Sequence, residues 1–231
     1  MADLVVYGSK MSPFVRKVEA VLRYKQLDFD FEEINIMDQP DWYREMHPLK
    51  RVPTLRNRAV AAEGPSGTIP DSSAICGYLE KYCPEPALYP ADPYAYGRSL
   101  WLEEYVDTSI AAIGGFGIFR AVMMPLFAGR EPDIATARET WNEKLPKHFD
   151  YLESQLDGQQ YFVDESFTIA DIAVGAQMLQ TCLIVDGLNA ERWPALVAQL
   201  NLCEAHPAFM PNRELCYTAI RPVVPDKLEL V

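Results

Sequence analysis

A serine lies at the junction between an apolar run and an amphipathic run near the start of the chain. The stretch "YGSKMSPFVRKVEAVLRYK" puts Ser12 directly before Pro13, and these residue types are favoured at the N-cap and first position of a helix. A hydroxyl in that place lies at the positive end of the helix dipole, where an anion is stabilised. Within this stretch alone, capping without further chemistry is the commoner use of such a serine.

Two further polar pairs precede apolar segments. Asp71 and Ser72 stand before "AICGYL" and offer a helix cap together with free N–H groups that can hold a carboxylate. Lys50 and Arg51 stand before "VPTL" and can meet an anion. In isolation, the first pair is more often a plain cap and the second a solvated basic pair, so their chemistry also depends on the rest of the chain.

Strands and helices alternate around these motifs as far as residue 82. Runs rich in β-branched and aromatic residues predict three strands, and residues 59–70 predict a hairpin with its turn at 63–67. Helices are predicted after Ser12, near Pro40 and after the Asp71–Ser72 pair. The strands are predicted at Leu4 to Tyr7, Phe29 to Ile36 and Val52 to Asn57. This order indicates a compact α/β unit.

The proline-rich segment "CPEPALYPADPY" divides the chain. Proline prevents a helix from continuing, so we expect an N-terminal α/β domain at 1–83, a linker at 84–93 and an all-α domain at 94–231. In the second domain, glycines at 114, 115 and 117 either interrupt one long helix or join two. Helices are predicted over 95–113, 116–127, 134–156, 169–183 and 194–205.

One helix of the second domain has a marked start. In "ESFTIADIAV", Thr168 can cap the helix and Asp171, three residues on, can reach back to it. We interpret this capping box as a folding device, with Thr168 and Asp171 in a structural role.

Composition excludes several function classes. The formal net charge of −12 over 231 residues repels phosphate backbones and anionic lipid, so neither nucleic acid nor a membrane is an expected partner. The five cysteines show no CxxC spacing and the three histidines are scattered, so we expect reduced thiols, no metal and ordinary surface or capping histidines. No signal peptide and no apolar segment of membrane-spanning length is predicted, which indicates a cytoplasmic protein.

Four motifs in order, "SPFVRKV", "RVPTL", "PDSSAICGYLEKYCP" and "FTIADIAV", make the chain resemble a cytosolic glutathione S-transferase over nearly its whole length. The resemblance implies a thioredoxin-like N-terminal domain, an all-α C-terminal domain and a homodimer. It implies glutathione as co-substrate and no metal. It also implies a cis peptide bond before Pro53, which turns the backbone of Val52 towards the cysteinyl part of glutathione.

The same resemblance implies a site of the serine type, in its Ser-Pro-Phe variant. Ser12 would be the catalytic residue, donating a hydrogen bond to the glutathione sulfur, and Phe14 of the same motif would take part in glutathione binding. Ser9 is the competing hydroxyl and ranks second. Asp71 and Ser72 resemble the pair that binds the γ-glutamyl end. Arg51, with Lys50 sharing or replacing it, corresponds to the residue that meets the glycine carboxylate.

The chain also departs from the family pattern. The hairpin over 56–70 is longer than usual, and no cysteine stands at position 12, which disfavours the thiol-transferase branch. Tyr7 is expected to be a wall or core residue.

The second substrate is expected to be a small, partly apolar electrophile that lies against the second domain. Candidates to line its pocket are Tyr105, Ile113, Phe116, Phe119 and Met123, although for most of them individually an ordinary core position is the commoner role. Two alternatives stay open. One is a non-catalytic binding or regulatory protein of the same fold. The other is a glutathione-dependent isomerase, ether-cleaving enzyme or peroxidase.

Overall fold

The computed structural model describes residues 2–230, which form two compact units. The first unit comprises the chain up to Leu88 together with Pro207–Asn212. The second comprises Tyr89–His206 and the chain from Arg213 onward. The break between Leu88 and Tyr89 falls within the proline-rich segment 84–93.

The first unit contains a mixed β-sheet with the strand order β2-β1-β3-β4. β1 pairs in parallel with β2 and antiparallel with β3, which pairs antiparallel with β4. The central β1 is buried throughout, as its apolar sequence predicts. The strands are β1 Leu4–Gly8, β2 Phe29–Glu33, β3 Thr54–Asn57 and β4 Thr68–Pro70.

Helix α1, Pro13–Tyr24, packs closely against the end of β1. A Cβ added at Gly8 would lie 2.5 Å from Cγ2 of Val15, so only glycine allows this approach. The unit also contains α2, Asp41–Met46, and α3, Ser72–Tyr82. The predicted succession of strands and helices is therefore present in the first unit.

After the first unit the chain is helical, as predicted. A helix that the sequence analysis did not predict, α11, follows α10 near the C-terminus. The α-helical segments are α4 Pro93–Tyr105, α5 Ala111–Gly114, α6 Ala121–Phe127, α7 Ile134–Glu139, α8 Pro146–Leu156, α9 Ile169–Cys182, α10 Pro194–Ala205 and α11 Met210–Ile220.

The glycines at 114, 115 and 117 do not interrupt the helix. Segments α4 to α6 continue into one another through π-helical turns at Val106–Ile110 and Gly115–Arg120. A Cβ at Gly117 would lie 2.2 Å from Oγ1 of Thr140, and one at Gly114 would lie 2.9 Å from Oγ1 of Thr181. These two glycines therefore serve close packing, and the expectation of a break was wrong.

By length and composition, this continuous helix, Pro93–Phe127, is the one helix among residues 2–230 that meets the requirements for crossing a membrane. It has 35 residues, with a mean hydropathy of 1.8 in an 18-residue window of which 28% is buried. The expectation that no segment approaches spanning length was thus wrong. Core helices of soluble proteins meet the same requirements, so the helix is weak evidence for a membrane segment.

Helix α9 is buried along its whole length, and Asp171 in its first turn is fully buried. The carboxylate accepts hydrogen bonds from the backbone N–H of Thr168 at 2.8 Å and of Phe162 at 3.1 Å, and from the Thr168 hydroxyl at 3.0 Å. Burial raises the pKa of Asp171 to about 6, against the opposing effect of these hydrogen bonds. Asp171 therefore joins the helix start to the chain that precedes it.

We expect Asp171→Ala to lower the free energy of unfolding by about 3 kcal/mol, because two buried N–H groups lose their acceptor. The matched control is Asp133→Ala, which removes an exposed cap from Thr136 on α7 and is expected to cost about 1 kcal/mol. Urea unfolding of both variants measures the difference. Equal losses would show that burial adds nothing to the Asp171 contacts.

The stability of the wild type should also depend on pH through Asp171. Its pKa is raised from 3.8 to about 6 on folding, so the folded state binds this proton more tightly. This shift contributes up to ~3 kcal/mol to the free energy of unfolding. The contribution is fully present below about pH 4 and is lost as the pH rises through about 6. Urea unfolding across this range, compared with Asp171→Asn, measures it. A pH-independent difference between the two proteins would contradict the shift.

Candidate functional site

The sheet register brings three chain segments to one edge of the sheet. Tyr7 of β1 pairs with Thr54 of β3, and Thr54 pairs with Pro70 of β4. The loop that contains Ser12 follows β1, the Val52–Pro53 peptide precedes β3, and Asp71 follows β4. All the predicted glutathione-site segments of the first unit therefore lie beyond the same row of paired residues.

Ser12 is the N-cap of α1, as predicted. Its hydroxyl oxygen accepts from the backbone N–H of Val15 at 3.5 Å, which is long for a hydrogen bond. The side chain is half-buried, and its hydroxyl hydrogen has no acceptor among residues 2–230. Ser9 is only 9% exposed. Of the two competing hydroxyls, that of Ser12 is the more accessible and is loosely held at the helix terminus. The neighbouring Phe14 is half-buried.

Asp71 caps α3 with a single oxygen. Its Oδ1 accepts from the backbone N–H groups of Ser73 at 3.0 Å and Ala74 at 3.1 Å, while the residue remains exposed. Its φ of +79° is unusual for a residue with a side chain. Ser72 is 4% exposed, so its hydroxyl is far less accessible than the Asp71 carboxylate. Asp71 therefore provides both the cap and an exposed negative charge at this edge.

Helix α1 is tied to the first turn of α3 by a buried lysine. Lys17 is fully buried, and its ammonium donates to the hydroxyl of Ser73 at 3.0 Å. This contact fixes the helix that Ser12 caps relative to the helix that Asp71 caps.

The peptide bond between Val52 and Pro53 is cis, which confirms the prediction. Val52 is half-buried and packs on a cluster that includes Tyr7 and Ile34. Within residues 2–230, neither the N–H nor the C=O group of Val52 forms a hydrogen bond. Partly buried backbone groups are usually paired, so this open pair is available to an extended ligand.

Two side chains that the sequence analysis did not single out hold the loop before Val52. Gln39 donates to the carbonyl of Lys50 at 2.9 Å, and the hydroxyl of Tyr43 donates to the carbonyl of Arg51 at 2.7 Å. Tyr43 is fully buried, and burial raises its pKa to about 12. Lys50 has a φ of +54°, and both basic side chains are exposed. The anchors therefore fix the backbone and leave the two cations accessible.

His47 is buried, at 3% exposure, so it is not a surface histidine. It is the C-cap residue of α2, in agreement with the expected capping role. Burial lowers its pKa, while the charge of Asp71 opposes the shift and that of Arg51 adds to it. The imidazole thus lies within electrostatic reach of two predicted site residues. Its Nδ1 is buried and has no hydrogen-bond partner within the described residues 2–230.

The long hairpin between β3 and β4 is held by Arg56. Arg56 is buried, at 4% exposure. Its guanidinium donates to the carbonyls of Ala61 at 3.0 Å, Gly64 at 2.6 Å and Ser66 at 3.2 Å. It also donates to the hydroxyl of Tyr7 at 3.2 Å. Tyr7 is therefore a buried residue that supports the hairpin, in agreement with the expected wall or core role.

The residues expected to line the pocket for the electrophile differ widely in exposure. Met123 is fully buried, so it belongs to the core, which was the commoner of the two roles considered for these residues. Phe116 is 63% exposed. Tyr105 is half-buried and its hydroxyl is 2.7 Å from Nδ1 of His148. The remaining two, Ile113 and Phe119, are half-buried.

The described cavities lie away from the predicted site residues. One of about 490 Å³ is next to Arg23 and Phe29 in the first unit, and one of about 330 Å³ is next to Tyr217 and Arg221 in the second. Residues 2–230 contain no group of three or more His, Cys, Asp or Glu side chains that can hold a metal.

The protein has a unit with a mixed sheet and helices, followed by a helical unit. This is the two-domain architecture that the sequence resemblance implies. The family profile "Glutathione S-transferase, N-terminal domain" matches residues 6–87. The profile "Glutathione S-transferase, C-terminal domain" matches residues 118–209.

Individual relatives agree with the profiles. The chain is 31% identical over 180 residues to glutathione S-transferase 3 of Zea mays, covering 74% of this chain and 75% of the relative. It is 28% identical to a glutathione S-transferase of Triticum aestivum over 77% of this chain and 78% of that one. Among solved structures, the chain is 26% identical in sequence to a glutathione S-transferase from Methylobacterium radiotolerans in complex with glutathione sulfonate. The two superpose with a TM-score of 0.70, over 90% of this chain and 93% of that one. The chain belongs to the glutathione S-transferase family.

We expect Tyr43→Phe to raise the KM for glutathione about fivefold with little change in kcat. The variant loses the hydrogen bond to the carbonyl of Arg51, worth about 1 kcal/mol, and loosens the loop that holds Lys50 to Val52. Steady-state kinetics with varied glutathione measure it, with Tyr94→Phe, at a residue 78% exposed, as the control. A fall in kcat with unchanged KM would show that Tyr43 does not act through this loop.

Proposed function

We propose that the chain is a glutathione S-transferase of the serine type, in the Ser-Pro-Phe variant. It binds glutathione at the sheet edge beyond Tyr7, Thr54 and Pro70. It holds the sulfur as a thiolate beside Ser12 and delivers it to a small, partly apolar electrophile.

The dimensions of the sheet edge suit a tripeptide. The row from β1 through β3 to β4 covers two strand spacings of about 4.8 Å each, or about 10 Å in all. Three extended residues cover roughly the same length. A glutathione molecule laid along this row can meet the segments after β1, before β3 and after β4 together.

The observation that carries the proposal is the open backbone of Val52 beside a cis proline. A peptide ligand running alongside can donate to its C=O and accept from its N–H, as a neighbouring strand does. Such pairing fixes the cysteinyl residue of glutathione, and with it the position of the sulfur relative to the end of β1.

At that position, Ser12 and the N-terminus of α1 both favour the thiolate. The hydroxyl hydrogen of Ser12 is available for the sulfur, and the helix terminus supplies positive potential. A free thiol has a pKa of about 8.5, so a depression of roughly two units, or ~2.7 kcal/mol, makes the thiolate dominant at neutral pH. A charge-assisted hydrogen bond and a helix terminus together are of this size.

The two ends of glutathione carry different charged groups and need different binding partners. The exposed carboxylate of Asp71 suits the α-ammonium of the γ-glutamyl residue, and the N-terminus of α3 at Ser72 suits its carboxylate. Arg51 and Lys50, exposed on an anchored loop, suit the glycine carboxylate. We assign glutathione binding to these four residues together with Phe14 and the Val52 backbone.

Further parts of the proposal rest on the family. The domain at 94–231 is proposed to line the electrophile site. A cytoplasmic homodimer with a role in detoxification is also proposed.

Ser12→Ala should lower the turnover of an aryl-halide electrophile about eightfold at neutral pH, because the glutathione thiol then titrates roughly 1.5 units higher while the helix terminus still supplies the rest of the depression. The gap should close as the pH rises past the pKa of the free thiol. Turnover and the ultraviolet absorbance of bound thiolate, both measured against pH, test this directly.

Ser9→Ala is the matched control and should leave both pH profiles unchanged. Equal profiles for wild type and Ser12→Ala would remove Ser12 from catalysis. If calorimetry detects no glutathione binding at millimolar concentration, the result favours the non-catalytic alternative over the proposed transferase. If glutathione binds as a thiolate but reacts only in isomerisation, ether cleavage or peroxide reduction, the transferase assignment is wrong.

A further inference from the structure

Asn212, at the start of α11, forms part of the first unit although it lies far along the chain. The residue is 3% exposed. Its Nδ2 donates to the backbone carbonyl of Lys10 at 3.1 Å and to the carboxylate of Glu19 at 2.6 Å. Its Oδ1 accepts from Nε of Arg16 at 2.8 Å. One amide therefore joins the loop before Ser12 to two side chains of α1.

The three hydrogen bonds allow only one orientation of the amide. Both hydrogens on nitrogen and the oxygen are engaged with groups of the matching type. A rotation by 180° would place the NH₂ group against the Arg16 guanidinium and the oxygen against the Glu19 carboxylate and the Lys10 carbonyl. Asn212 is consequently a rigid three-way connection.

The partners on α1 are themselves buried and charged. Arg16 is 1% exposed and Glu19 is 3% exposed, and Glu19 also receives a hydrogen bond from Arg23 at 3.0 Å. Leaving a buried charge without a hydrogen-bond partner is costly, so the bonds of Arg16 and Glu19 to the amide hold it firmly in place.

The connection ends two residues before Ser12. The backbone N–H of Ser12 donates to the carbonyl of Ser9 at 2.9 Å, and the ammonium of Lys10 lies 5.0 Å from the centre of the Phe31 ring. With the Lys10 carbonyl held by Asn212, the turn 9–12 is restrained from several sides. The cap bond of Ser12 itself, at 3.5 Å, is too long to fix the hydroxyl.

We infer that Asn212 is a positioning residue for the Ser12 hydroxyl. It sets the path of the 9–12 turn and thereby the place of the hydroxyl at the tip of α1. The inference rests on the proposed function, because it assigns Asn212 an effect on the glutathione thiolate through Ser12. Asn212 itself is not assigned any contact with glutathione.

The test measures kcat, KM and the pKa of the bound thiol in Asn212→Ala, Ser12→Ala and the double variant. Asn212→Ala should raise the thiol pKa by about one unit, lower kcat about threefold at neutral pH and leave the KM for glutathione within about twofold. In the Ser12→Ala background it should cause no further change in kcat, because its effect passes through the missing hydroxyl.

Asn142→Ala is the matched control. Its amide also donates to a distant backbone carbonyl, that of Leu230 at 2.8 Å, and its loss should not shift the thiol pKa. Asn212→Gln keeps the amide but adds a methylene, so it should shift the pKa in the same direction. It serves as the main variant if Asn212→Ala does not fold.

The outcomes separate the two hypotheses. If Ser12→Ala shifts the thiol pKa but neither Asn212 variant does, the positioning role is overturned and the proposed function stands. If the Asn212 effect is equally large with and without Ser12, the residue is merely structural and the inference is again overturned. If Ser12→Ala itself has no effect, the proposed role of Ser12 fails first, and the inference fails with it.

Discussion

Tyr7, Thr54 and Pro70 lie side by side across three strands, and this register decides where the chain can build a site. A shift of one residue in either pairing would reverse the side-chain faces of a strand and displace the loop that follows or precedes it. The side chains of β1 are buried on both faces, so such a shift would force them to repack against both layers. The core of the sheet thus sets the spacing of the segments around Ser12, Val52 and Asp71.

Helix α1 adds electrostatics to this geometry. It is buried on all sides from Val15 to Leu22, including the charged Arg16, Lys17 and Glu19. Buried charges require partners, and these come from elements far along the chain, namely Asn212 and Ser73. Their partners therefore join the helix that Ser12 caps to both α3 and the start of α11.

Local patterns predicted most of the first unit. The alternation of elements, the Ser12 cap and the cis bond before Pro53 all depend on residues close together in sequence, and each was predicted from such residues or from a motif that contains them. The burial of His47 depends on tertiary packing at the end of α2, which no local pattern reveals. The role of Gln39 and Tyr43 as anchors depends on hydrogen bonds to a loop about ten residues away.

Residue types alone do not predict where the helices of the second unit break or which distant residues bond. Glycines at 114 and 117 suggest a helix break, because glycine is flexible and often ends helices. In the structure, however, the side chains of Thr181 and Thr140 occupy the space that a Cβ at these positions would fill. The hydrogen bond between Arg16 and Asn212 joins residues 196 positions apart, so no local sequence pattern can predict it. Glycine is informative only with its neighbours in space.

The assignment of Pro207–Asn212 to the first unit has a consequence for synthesis of the protein. A ribosome releases the sheet and its first helices early, but the residue that anchors the turn before Ser12 emerges only after nearly all of the helical unit. The N-terminal module can begin to collapse during translation, yet it lacks the buried Asn212 amide until the helical segments before that residue have been made. Its maturation is therefore linked to synthesis of the helical segments that precede Asn212, and the turn before Ser12 lacks this anchor until they have been made.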